Sequence, residues 1–105
     1  MSSHSSSDKQ ALVKAIEQRI LTGPGMASAE LRAKSFADHD VPESLAALVD
    51  KVAKRSFQVT DADFAAAVAA GFTEDELFEL VICAAVGESN RMYQAGLAAL
   101  AKASV

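Results

Sequence analysis

Glu79, Cys83, Gly87 and Arg91 follow one another at intervals of four residues and therefore share one ridge of a helix. An acid, a thiol and a guanidinium on one line suggest three kinds of chemistry: proton transfer, nucleophilic attack and the gripping of a carboxylate. A thiol attacks only as thiolate, which requires a helix N-terminus, a cation or a metal close by. Cys83 lies about nine residues into its helix, beyond the reach of the terminal dipole. Its neighbour one turn back is Glu79, whose charge raises a thiol pKa. The plain reading of Cys83 is a small buried hydrophobe; the catalytic reading is a nucleophilic thiol. Gly87 either opens room for a small ligand between acid and base or allows a close helix crossing.

Arg91 is the only Lys or Arg between Arg55 and Lys102, and Thr60 to Asn90 carries seven acids and no base. An arginine in so apolar a helix pairs with a carboxylate across a contact, or holds a substrate carboxylate in a bidentate grip. The candidate catalytic residues are thus Cys83, Glu79 and Arg91. Candidate substrate-binding residues are Arg91, Glu88, Asn90 and His39, the last set between Asp38 and Asp40 as a possible acid or base. No pair of histidines or thiols has the spacing of metal ligands, so neither metal nor cofactor is expected. Gly23-Pro24-Gly25 is too short for a phosphate loop, and no nucleophile elbow is present.

These residues must be held by elements, and every periodic stretch from Asp8 onward is helical. Leu12, Ala15, Ile16, Arg19 and Ile20 keep helical spacing before Gly23-Pro24-Gly25 breaks the chain. A short helix follows, capped by Ser28 and carrying Leu31 and Phe36. After Asp40-Val41-Pro42 comes an amphipathic helix, apolar along Leu45, Leu48, Val49, Val52 and Ala53, polar along Asp50, Lys51, Lys54 and Arg55. Thr60 with Asp63, and Thr73 with Glu76, have the form of capping boxes. Between them Gly71 suits a left-handed C-cap, with Phe72 folding back on the helix just ended. The last helix is expected from Glu74 almost to Ala103, about 45 Å long, and largely buried. Only Arg55 to Val59 has strand character, and it is too short to build a sheet.

The chain of 105 residues is half hydrophobic, 23% charged and carries a net charge of −4. That is one domain's worth of sequence, without a membrane span and without the basic surface that nucleic acid requires. Residues 1–7 read as a disordered tail and 8–105 as a single all-α domain of about five helices. Nothing in residues 1–7 resembles a secretory leader, which gives the cytoplasm as the expected compartment. A domain this small with so apolar a central helix is expected to share its covering with other subunits, as a homo-oligomer.

Three segments together resemble the carboxymuconolactone decarboxylase and alkyl hydroperoxidase D-like family: Val59-Thr60-Asp61-Ala62-Asp63-Phe64, Ala69 to Leu80, and Asn90-Arg91. Val41 to Leu48 fits the same style, and the likeness covers residues 41–100. It implies an all-helical fold assembled into trimers or hexamers. The family's peroxidase branch has peroxiredoxin activity, as an oxidoreductase with a Cys-x-x-Cys pair, a histidine four residues later and an upstream glutamate relay. With Cys83 as the first cysteine, Val86 stands at the second position and Asn90 at the histidine. In another register residues 59–100 resemble the second half of longer members, Asn90-Arg91 matches, and no redox cysteine is expected. The decarboxylase branch acts on a carboxylate-bearing lactone, for which Arg91 or Lys51 would be the anchor.

Two readings therefore stand. One is an enzyme of this kind, either a one-cysteine thiol peroxidase through Cys83 or a small-acid decarboxylase or isomerase using Arg91 with Glu79 or Glu88. The other is a non-catalytic oligomeric binding module on the same scaffold.

Overall fold

A computed structural model describes the backbone of residues 2–104 and the side chains of residues 8–104. Five α-helices follow in order: α1 (Ser2–Thr22), α2 (Ala29–Ala37), α3 (Glu43–Lys54), α4 (Asp61–Ala69) and α5 (Glu74–Ala103). The described residues contain no strand, and the stretch with strand character is taken up by a 3₁₀ turn, Ser56–Gln58, between α3 and α4. The all-helical expectation holds. The backbone of residues 2–7, read in the sequence as a disordered tail, continues α1, because extending a helix already nucleated costs far less than starting one. Met1 lies outside the described residues.

The boundaries are written in capping chemistry. Ser28 Oγ accepts the Leu31 N–H at 3.1 Å and opens α2. Thr73 and Glu76 exchange side chain for backbone, at 3.1 and 3.0 Å, to open α5. At the end of α4, Phe72 N–H returns to the Ala67 carbonyl and Gly71 N–H to that of Val68, the two bonds of a Schellman cap. Gly71 takes φ +108°, which a side chain would oppose.

The core is built around the first half of α5. Leu77, Leu80 and Ala84 meet Leu45, Leu48 and Val49 of α3, with Ala27 and Ala67 closing the sides. The buried face of α3 is the expected one. Two expectations fail on the longer helices. From Met92 onward α5 is exposed apart from Leu97, because the short helices α2, α3 and α4 do not reach that far. On α1 the expected apolar residues Leu12 and Ile16 are exposed, while Ile20, also expected, turns toward the body together with Val13 and Leu21. α1 runs antiparallel to α5, with Ile20 beside Cys83 and Gln10 sharing a cleft with Gln94. Among the described residues no helix is long and apolar enough to cross a membrane.

Candidate functional site

The ridge of Glu79, Cys83, Gly87 and Arg91 is the seat on which α2 lies. The two helices run in the same direction, so each step along the ridge meets a later part of α2. Glu79 accepts the N–H of Met26 at 2.7 Å through Oε1, and the N–H of Ala27 at 2.6 Å through Oε2, just before α2 begins. Gly87 lies under the far end: a Cβ there would run into the Phe36 carbonyl. Arg91 Nη1 donates to that same Phe36 oxygen at 2.7 Å, satisfying a carbonyl at the end of the helix. An acid thus stands at the positive end of α2 and a base at its negative end, as the helix dipole favours. The twelve residue steps from Glu79 to Arg91 span about 18 Å, a little more than the nine-residue α2. Of the two roles the sequence allowed for Gly87, the structure has the helix crossing, and no ligand space remains there.

The ridge residues are therefore occupied. The Glu79 carboxyl is held below the usual carboxylate range, first by the Ala27 N–H and then by that of Met26, with burial opposing them and Arg32 assisting. Cys83 is fully buried, and its Sγ lies 3.9 Å from the Ile20 carbonyl oxygen. Burial pushes its thiol up to about 11; Arg32 opposes that rise and Glu79 adds to it. A thiol so placed is neither reachable nor ionised near neutral pH, which is the reverse of what a peroxidatic cysteine needs.

The other candidates do not converge on one site. Glu88 pairs along α5 with Arg91, its Oε2 accepting Nη2 at 2.9 Å and Nε at 3.2 Å. Asn90 faces α1 beside Val13 and Tyr93, with its Oδ1 buried and without a hydrogen-bond partner. His39 is exposed in the α2–α3 turn, where its acidic neighbours turn to lysines: Asp38 to Lys54 at 3.2 Å and Asp40 to Lys34 at 3.4 Å. Lys51, an anchor in the decarboxylase reading, is spent on Asp63, which it reaches at 3.0 and 3.1 Å, tying α3 to the start of α4.

Sequence reasoning passes over Arg32, which the fold makes prominent. It is 8% exposed. Its Nη1 donates to the carbonyls of Gly23 at 2.7 Å and Ile20 at 3.2 Å, capping α1, and its Nε is buried without a partner. With Arg19, Pro24, Ile20, Ile82 and Glu79 it lines a pocket of about 280 Å³ at the corner of α1, α2 and α5. The signal available in advance was weak: an arginine beside Leu31 in a nine-residue helix with few other basic residues.

A second concavity of about 680 Å³ lies between α4 and α5, walled by Phe64, Val68, Leu77, Phe78 and Val81. No cluster of His, Cys, Asp or Glu among the described residues is arranged to hold a metal ion. Compared with protein-family models, curated proteins and solved structures, the chain finds no match.

Proposed function

We propose that this chain is a self-associating helical binding module on a carboxymuconolactone decarboxylase-like scaffold, and that it carries no thiol peroxidase chemistry. The observation that carries the reading is the α4–α5 face. Phe78 is 67% exposed there, at the rim of the apolar groove, with Phe64 and Val68 also partly bare. The groove continues toward Val59, Ala85 and Met92, so the patch runs along α5 instead of ending at one side chain. Covering one large apolar side chain contributes roughly 1.5–3 kcal/mol. A second copy brings the same face, and a two-fold arrangement seats the Phe78 of each copy in the groove of the other.

The enzyme reading is weaker on this geometry. Glu79 and Arg91 are committed to the ends of α2, and Cys83 is sealed beneath it. Size-exclusion chromatography with light scattering, over a hundredfold concentration range, tests the proposal. The expected result is an oligomer for the parent chain and a folded monomer for Phe78→Asp. A parent chain that is monomeric at every concentration overturns it.

A further inference from the structure

We propose that the corner between α1, α2 and α5 is a binding site for a small organic monoanion, gripped by Arg19 and Arg32 and seated against Ile20, Pro24 and Ile82. The argument starts from Arg32. A guanidinium that is nine-tenths buried needs a counter-charge as well as hydrogen bonds. Among the described residues Arg32 has only the carbonyls of Ile20 and Gly23, no carboxylate within ion-pair distance, and a buried Nε with no acceptor. Glu79, the one acid in the pocket, has turned its oxygens to the N–H groups of Met26 and Ala27. Arg19 lies on the last turn of α1, lines the same pocket from its exposed side, and forms no ion pair among the described residues.

The ligand class follows from charge and shape. Two guanidiniums against one carboxylate leave a single uncompensated positive charge, which suits a monoanion. A planar oxyanion matches the donor fork of an arginine. The remaining wall is aliphatic, and at about 280 Å³ the pocket admits a body the size of one ring. The corner shares no lining residue with the α4–α5 groove, so it does not depend on self-association.

Benzoate is the probe, with benzamide as its neutral counterpart, each titrated into the full-length protein at constant ionic strength and followed by ¹H–¹⁵N NMR. With benzoate, the amides from Ile20 to Ala27 and the Arg32 Nε–H resonance should shift along a saturable curve; with benzamide they should not. Because Arg32 also caps α1, the decisive variant is Arg19→Gln. It should weaken benzoate binding about tenfold, the loss of one charge-assisted contact, while leaving the melting temperature unchanged. Equal shifts with benzamide, a response that never saturates, or undiminished binding by Arg19→Gln would each overturn the proposal. A monomeric parent chain that still binds benzoate would remove the association reading and leave this one intact.

Discussion

An unfolded cysteine ionises near pH ~8.5, whereas Cys83 under α2 is pushed up to about 11. In the window between those values the unfolded chain releases the proton and the folded chain keeps it. Stability therefore falls as pH rises through that window, and below it the thiol has no effect. The expected outcome with iodoacetamide is no labelling of the native protein at pH 7–8 and prompt labelling in urea. Rapid native labelling at neutral pH would restore the thiol peroxidase reading. At this scale the sequence was partly legible. The depth of Cys83 in its helix and the lack of a cation beside it pointed to a buried thiol. Arg32 was illegible, because its burial arises only when the end of α1 folds over it, and no local spacing encodes that approach.

Among the elements, the seat of α2 on α5 is the most exacting contact. Gly87 lies against the carbonyl of Phe36, and the added methyl of Gly87→Ala has no flexible side chain to displace. The substitution should destabilise the fold by about 1–3 kcal/mol, the usual range for overpacking, as read from urea unfolding. An unchanged midpoint would mean that α2 does not press on Gly87. The four-residue row was visible from sequence, and so was the choice between ligand space and crossing. What decided it was a neighbour more than fifty residues away in the chain. The caps, by contrast, were legible in full at Ser28, Gly71 and Thr73, since their chemistry is complete within a few consecutive residues.

The whole molecule measures 51 × 28 × 21 Å, with a radius of gyration of 15.7 Å, against about 13 Å for a compact domain of this length. The excess comes from α1 and α5, whose paired ends run beyond the three short helices. If copies cover one another along α5, folding and association are linked, and the thermal midpoint should rise with protein concentration. The same dependence should vanish in Phe78→Asp. The all-α class and the course of α5 were legible from helical periodicity and caps; the outward face of α1 was not, because apolar spacing does not tell which partner is long enough to cover it.

The long-range ties on α1 and α2 come from α5: residues 26 and 27 from Glu79, Ile20 from Cys83, Phe36 from Arg91. These partners lie 52 to 63 residues apart. On the ribosome the first two helices are therefore made long before their seat exists. Two pairs can settle as they emerge: α1 with α2 through Arg32 and the Ile20 and Gly23 carbonyls, and α3 with α4 through Lys51 and Asp63. These helices close from α5 backward, and a nascent chain halted before residue 91 would hold α2 without the arginine that secures its end.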